Sequence, residues 1–327
     1  MTDKGIKLVC LGLLSVLFGA CTKQDALLPN GIIQLGARTD NYSRSSINDL
    51  KGLASLGDRV GIYGVVTDKP DAASVILSEE WKSTPLMGNV RTTRIDANTG
   101  ALSWDGAYAY PLEEEKYVKF CVYHPYAGVD VQGENYVEAS KGASPILHFT
   151  LTGTEDVMWV NPVVGSRTIA ASLLKFNHLL TQLRFRIVDD EGNFAGTSIT
   201  KLSFNNVNTV STLNLETGKL GGWGTPSSNI ILPLSAPVAI SGTTDSPLSL
   251  SGEVMLQPGQ AMFNMTVTTD NKGAFPSVEI RPTNGEMNFA AGRSYLVTLK
   301  FRDRTPVALS VMVTPWVMDG YGEGTVE

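Results

Sequence analysis

Histidine and cysteine are scarce in this chain, with three of each among 327 residues. None of His124, His148 and His178 belongs to an H-E-x-x-H or another metal-spaced pair, so no zinc-hydrolase signature is present. Neither a G-x-S-x-G nucleophile elbow nor a phosphate-cradling G-x-x-x-x-G-K occurs. Ser172-Leu173-Leu174-Lys175 has S-x-x-K spacing, but companion motifs are missing and its flanks are core-like. The acidic runs Glu113–Glu115 and Asp189–Glu191 fall in turns, whereas glycosidase carboxylates face one another from rigid elements. These absences argue against an enzyme, and no catalytic residue, metal ligand or cofactor is assigned.

Charge of one sign is also lacking. The net charge is −6 with no basic cluster, which excludes nucleic acid as a partner, because that affinity comes largely from Lys and Arg on phosphate. No apolar run approaches the ~18 residues of a transmembrane helix. Helical periodicity is rare as well. Ile47–Leu56 could form a turn or two with Leu50, Leu53 and Leu56 on one side, and Ala170–Leu180 is ambiguous between strands and a short helix.

What is present starts at the N-terminus. Lys4 and Lys7 precede an apolar stretch from Leu8 to Phe18, followed by Gly19-Ala20 and then Cys21. A basic start, a short apolar core and small residues make a secretory signal. A cysteine directly after the small residues makes it a lipoprotein signal, covering residues 1–20, with lipid on Cys21. Acyl chains contribute about 0.8 kcal/mol per buried CH₂, enough together for firm attachment to a membrane. Cys10 leaves with the signal, so Cys121 remains without a disulfide partner and reads as a buried structural thiol in the apolar stretch Tyr117–Tyr123.

The remainder reads as all-β. Short segments rich in Val, Ile, Thr, Phe and Tyr are separated by Gly, Pro, Asn and Asp. Strands are expected at Arg59–Val66, Tyr117–Tyr123, Ile146–Leu151, Leu183–Val188, Ile199–Phe204, Met262–Thr268, Tyr295–Phe301 and Val307–Val313. In Leu183-Arg184-Phe185-Arg186-Ile187 the alternation is that of a strand with one wet face. A turn-forming cluster at Asn161–Gly165 suggests a boundary between two strand-rich halves, 45–165 and 166–327, each long enough for one sandwich. The five tryptophans read mainly as core residues, and Trp223, between two glycines, is the one to test for ligand contact.

Two segments stand apart. Gly31–Ala37 (GIIQLGA) is strand-like and precedes Arg38 and Arg44. At the other end Val307, Leu309, Val311 and Val313 line one face of a strand, followed by Pro315 and the Gly-rich DGYGEG. Strands joined by loose sequence invite exchange between molecules, in which main-chain hydrogen bonds give affinity and alternate side chains give register.

The order of DRVGIYGVV (Asp58–Val66), FCVYHPY (Phe120–Tyr126), DVMWVNP (Asp156–Pro162), LLKFNHLLTQLRFRI (Leu173–Ile187), VNTVSTLNLETGKL (Val207–Leu220), VMLQPG (Val254–Gly259), GRSYLVTLKF (Gly292–Phe301) and VTPW (Val313–Trp316) resembles the fimbrillins, subunits of the Bacteroidales-type (type V) pilus. The resemblance covers nearly the whole chain after the signal. It implies two tandem transthyretin-like β-sandwich domains, lipoprotein export to the outer membrane, trypsin-like cleavage after an arginine, and polymerisation by strand insertion into a fimbrium at the cell surface. Carried onto this sequence, residues 21–44 are a propeptide whose masking strand holds Ile32, Ile33 and Leu35. The scissile bond follows Arg44 or Arg38, and the donor strand lies near 307–317, with Val307, Leu309, Val311 and Val313. The implied partners are other fimbrial subunits, a trypsin-like protease and, through lipid, the outer membrane. The alternatives are a monomeric surface lipoprotein binding glycan or host protein, and a pilus tip or anchor component.

Overall fold

A computed structural model describes residues 31–38, 50–57, 59–76, 81, 85–128, 135–139, 142–282 and 285–302 in full, and the backbone of 129 and 305–315. The elements of the first part are β1 (Ala37–Arg38), α1 (Leu50–Leu56), β2 (Gly61–Thr67), β3 (Met87–Ile95), β4 (Leu102–Trp104), β5 (Tyr117–His124), β6 (Gly128–Val129), β7 (Tyr136–Glu138), β8 (Ile146–Thr150), β9 (Met158–Gly165) and β10 (Leu174–His178). The rest comprises β11 (Thr181–Asp189), β12 (Ser198–Val207), β13 (Val210–Asn214), β14 (Leu220–Gly221), β15 (Ser228–Leu232), β16 (Val238–Ala239), β17 (Leu248–Leu256), β18 (Phe263–Thr269), β19 (Ala274–Ile280), β20 (Arg293–Arg302) and β21 (Thr305–Pro315). The protein is all-β, with one short helix among the described residues.

The expected alternation is realised most fully in the sheet β17-β11-β20-β21. Leu183, Phe185 and Ile187 of β11 and Tyr295, Val297, Leu299 and Phe301 of β20 are buried. These two strands pair in parallel across the whole length of β11. On the opposite face Arg184 Nε donates to Ser294 Oγ at 3.0 Å and Arg186 Nε to Thr298 Oγ1 at 2.6 Å. The buried face packs on the sheet β15-β12-β18-β19 through Phe185 and Phe204, whose rings lie 6.0 Å apart. An aromatic series continues through Phe263, Phe289 and Tyr295, with Phe289 edge-on to Tyr295 at 4.8 Å, the arrangement favoured by ring quadrupoles.

The first part forms a seven-stranded sheet, β1-β10-β9-β5-β2-β3-β4. Strands β2 and β5 are buried along almost their whole length because both of their faces are covered. Ile62, Val118, Phe120 and Val122 face one core, while Tyr63, Cys121 and Tyr123 join the core shared with β11–β20. The second face is covered by a five-stranded sheet, β14-β13-β8-β7-β6, in which β8 pairs with β13 from much later in the chain.

Two expectations change. Asn161–Gly165 is not a turn but the second half of β9, and β10 extends the same sheet. The pairing of β9 with β5 shifts register between Phe120 and Val122, opposite Asn161-Pro162, so the Asn-Pro pair sits in a bulge. The ambiguous Ala170–Leu180 resolves as β10 and the turn after it, and the passage to the second sheet system lies between β10 and β11. Leu53 and Leu56 of α1 are buried as expected.

One buried ion pair ties the cores together. Lys119 of β5 meets Glu216, in the turn after β13, at 3.1 Å, with side chains 3% and 1% exposed. The Glu216 carboxylate also accepts from Ser144 Oγ at 2.6 Å, Trp81 Nε1 at 3.3 Å and the Ile76 main-chain N–H. Removing one member of a buried pair strands the other charge, at about 3–5 kcal/mol. Glu216→Leu is therefore expected to lower stability by about that amount, and adding Lys119→Met to recover part of it. Denaturant midpoints of the two variants check this.

Candidate functional site

The seven-stranded sheet has two edges, and residues 31–38 join them. On one side β1 pairs in parallel with β10, Ala37 opposite Leu174 and Arg38 opposite Lys175. On the other, Gly36 bridges to Ala101 beside β4 and Ile32 to Ala109, both antiparallel. Main-chain hydrogen bonds hold the segment on both sides. Ile33 N–H donates to the Tyr108 carbonyl at 2.9 Å and Ala37 N–H to the Gly100 carbonyl at 2.8 Å. The carbonyls of Gly31, Leu35 and Gly36 accept from Tyr110 (2.9 Å), Leu102 (3.0 Å) and Leu174 (2.7 Å). The segment is a stave that closes the sheet into a barrel.

Its side chains alternate. Ile33, Leu35 and Ala37 point inward and are buried at 2%, 4% and 2% exposure, among Ile62, Met87, Leu102, Phe120, Val122, Val160 and Leu174. Ile32 points out at 43%. Of the masking residues expected from sequence, Ile33 and Leu35 line the barrel and Ile32 lies on its outer face. Ala37 is the inward residue that sequence reasoning missed, although it shares the phase of Ile33 and Leu35.

The turn between β3 and β4 shapes the wall opposite. Asp96 Oδ1 accepts from the N–H groups of Asn98 (3.0 Å) and Thr99 (2.9 Å) and from Thr99 Oγ1 (3.0 Å). These bonds hold its carboxyl below the usual carboxylate range. Gly100 follows at φ +72°, and a Cβ there would stand 1.9 Å from the Ala37 carbonyl oxygen. Only glycine lets the stave pass so closely. Nothing in the local sequence beyond a turn-forming Asn-Thr-Gly pointed to this role.

Arg38 is exposed within β1, while Cys21 and Arg44 lie outside the described residues. Of the donor residues Val307, Leu309, Val311 and Val313 the backbone alone is described. They belong to β21, antiparallel to β20, with Val311 opposite Val297 and Val313 opposite Tyr295. A register shift between Thr298 and Leu299 then places Ala308 opposite Leu299, and Val307 opposite Lys300. Trp223 is partly buried, with its ring edge-on to Phe149 at 6.1 Å. Trp159 and Trp81 donate their indole N–H groups to the Leu215 carbonyl (2.8 Å) and Glu216.

The histidines serve the junctions. His124 Nδ1 lies 2.7 Å from the Asp156 carbonyl, and burial pushes this imidazole below its usual range. His178 Nδ1 lies 2.9 Å from the Asp156 carboxylate, and His148 stacks on Tyr136 at 4.4 Å. Among the described residues no group of three or more His, Cys, Asp or Glu is placed to hold a metal ion, and no helix is long and apolar enough to cross a membrane.

Residues 50–316 match the profile of the fimbrillin-like proteins. The chain belongs to the fimbrillin-like family. The fold of this fimbrillin-like chain is shared with solved structures at low sequence identity. A candidate cell adhesion protein from Bacteroides uniformis is 20% identical, with a TM-score of 0.57 over 88% of this chain and 99% of its own. A candidate cell adhesion protein from Bacteroides ovatus is 14% identical, with a TM-score of 0.55 and coverage of 88% and 99%. A fimbrial protein from Bacteroides vulgatus is 13% identical, with a TM-score of 0.54 and coverage of 86% and 99%. No curated protein matches the chain.

Two outcomes are expected. Leu35→Ala should cost about 2–5 kcal/mol and Ile32→Ala less than about 0.5, both read from denaturant unfolding. Cys121 is 1% exposed and burial pushes its thiol up to about 12. At pH 8 it should stay protonated and resist a thiol reagent until the protein is unfolded, as followed by the absorbance of released chromophore.

Proposed function

We propose that this fimbrillin-like chain is a structural subunit of a cell-surface fimbria that supports adhesion, exported as a lipoprotein through Cys21 and released for assembly by arginine-specific cleavage. The observation that carries the reading is the stave, since residues 31–38 bond to both edges of the barrel sheet and fill its core with Ile33, Leu35 and Ala37. Its removal would leave the N–H groups of Leu102, Tyr110 and Leu174 and the carbonyls of Gly100 and Tyr108 without partners beside an apolar slot. Unpaired strand edges of that kind are templates for another chain, and a buried unmet donor or acceptor costs about 1–3 kcal/mol.

Family membership supports a fimbrial role and fimbrial subunits as partners. Cleavage is assigned to the Arg38–Arg44 region. Arg38 is register-paired with Lys175, so its peptide bond must leave the sheet before a protease can bind it. This favours Arg44, in the polar stretch RTDNYSRSS, with Arg38 second. Cleavage at either arginine detaches the stave and the lipid together and leaves α1 in place. The donor is assigned to the region near residues 307–317 of the next subunit, the stretch that holds Val307, Leu309, Val311 and Val313.

The reading is tested with recombinant protein beginning at Thr22 and treated briefly with trypsin. A ladder of oligomers is expected on a mildly denaturing gel. It should vanish when residues 307–327 are deleted or when Arg38 and Arg44 are both changed to Ala. Trimming of the N-terminus with monomer as the sole product would exclude the subunit reading.

A further inference from the structure

We propose that a cleft lined by Asn205, Asn206, Asn208, Gln257, Gln260 and Asn264 binds one edge of an uncharged sugar ring. The inference rests on the adhesive part of the fimbrial reading and supplies it with a site and a ligand class.

The cleft opens beside the link from β12 to β13, where the chain passes from one sheet to another, and next to the end of β17 and the start of β18. Six of its ten lining residues carry a side-chain amide, and the rest are Val207, Pro226, Met262 and Phe263. Among the described residues no Lys, Arg, Asp or Glu lines it. A carboxamide is uncharged and offers a donor and an acceptor side by side, as each sugar hydroxyl does. A charged ligand would find no counter-charge here, and burying an unpaired charge is costly.

The amides are held in place. Asn205 of β12 stands directly opposite Asn264 of β18, with Cβ atoms of such pairs about 4.5–5.5 Å apart. Asn205 Nδ2 donates to Thr266 Oγ1 at 2.7 Å, and Asn208 Nδ2 to Gln257 Oε1 at 2.5 Å. The second bond uses the donor of one amide and the acceptor of the other. What it leaves on the linked pair is an acceptor, Asn208 Oδ1, and a donor, Gln257 Nε2. Asn208 Oδ1 is buried without a hydrogen-bond partner among the described residues, and folded proteins leave few such atoms unmet. One sugar hydroxyl donates to the first and accepts from the second.

The backbone departs from regularity at the same place. The pairing of β12 with β15 shifts register between Phe204 and Val207, and Asn206 between them has a φ of +52°, a left-handed conformation in which asparagine is enriched. A regular strand sends consecutive side chains to opposite faces. The bulge lets Asn205 and Asn206 line one cleft together, and bulges re-aim side chains beside binding sites in this way.

Size limits the ligand. The cleft holds about 70 Å³, against about 10–15 Å³ for a single water, which is room for one edge of a ring and not for an enclosed oligosaccharide. Millimolar affinity is expected of one such site. A fibre repeats the site in every subunit, and repetition raises avidity by about 10²–10⁴.

The test uses isotope-labelled chain from Thr22, kept unassembled, and follows its side-chain amide signals by nuclear magnetic resonance. Methyl glycosides of glucose, galactose, mannose and N-acetylglucosamine are added to tens of millimolar, with glucuronic acid and N-acetylneuraminic acid as charged probes. At least one uncharged glycoside should shift the Asn208 and Gln257 signals saturably, and the charged sugars should bind at least fivefold more weakly. Gln257→Glu keeps the acceptor for Asn208 Nδ2 but loses the donor, and should weaken the responding glycoside about fivefold. Asn264→Ala, which removes an amide without adding charge, should weaken it as well, with circular dichroism verifying the fold of both variants. Asn193→Ala, at an exposed amide elsewhere, should bind like the unaltered chain. No saturable shift with any uncharged glycoside, equal binding of the charged sugars, or undiminished binding by the folded variants overturns the inference. Each of these leaves the subunit reading standing, because the tryptic ladder reads assembly and this titration reads the unassembled chain. A missing ladder beside intact glycoside binding excludes the fibre and keeps the site.

Discussion

The barrel depends on one set of main-chain hydrogen bonds, those by which residues 31–38 reach from β10 across to the β3–β4 turn. At the far edge of the seven-stranded sheet, β4 has β3 as its one strand neighbour and meets this segment on its other side. Those edges cannot simply face water, because the groups beside them line an apolar core. Ile33, Leu35 and Ala37 pack against Ile62, Phe120 and Val122, which sit on the central strands. Closure therefore contributes twice, by pairing backbone groups and by completing the interior. Both contributions come from an extended main chain with apolar side chains at alternate positions.

Loss of a stave need not unfold the molecule, because β2 and β5 are covered on both faces. Their second face belongs to the larger core, held by Tyr63, Cys121 and Tyr123 together with Leu147, Phe149 and Leu213. Glu216 anchors this arrangement, with Lys119 from β5, Ser144 and Trp81 all converging on one carboxylate. Such a pair adds little net energy compared with apolar packing, but it is intolerant of displacement. The central strands are thus fixed from the side that the stave does not touch. Opening the barrel edge and keeping the fold are compatible.

Sequence reading recovered what depends on side-chain periodicity and missed what depends on backbone approach. The strands β11 and β20 were legible because Leu183, Phe185 and Ile187 and their counterparts Tyr295, Val297, Leu299 and Phe301 recur at every second position. The doubly covered β5 was legible as a strand, but its second layer was not, since the partners β8 and β13 come from distant parts of the chain. Asn161-Pro162 carried a true signal of irregularity, and the irregularity is a bulge within β9 instead of a turn. In the stave, Ile33 and Leu35 were legible as apolar, yet Ile32 was grouped with them although it is one residue out of phase. Gly100 could be read only as a turn residue. Its closeness to the Ala37 carbonyl arises from two segments more than sixty residues apart, and no local pattern encodes it.

The composition of residues 31–38 limits how tightly the segment holds to the sheet. Gly31 precedes its inward residues and Gly36 lies between Leu35 and Ala37, and glycine gives up more conformational freedom on ordering than any other residue. Its third recess is filled by a methyl group alone, and its last residue stands beside Lys175 with like charge. A longer or more apolar segment would bury more surface and hold more tightly. Short side chains, glycines and a like-charge register pair all act in the same direction, lowering the affinity of the segment without altering the hydrogen bonds that define its path. Gly100 and the β10 edge, which set the path of the segment, come from distant parts of the chain, so the path is fixed by tertiary packing and not by the segment itself.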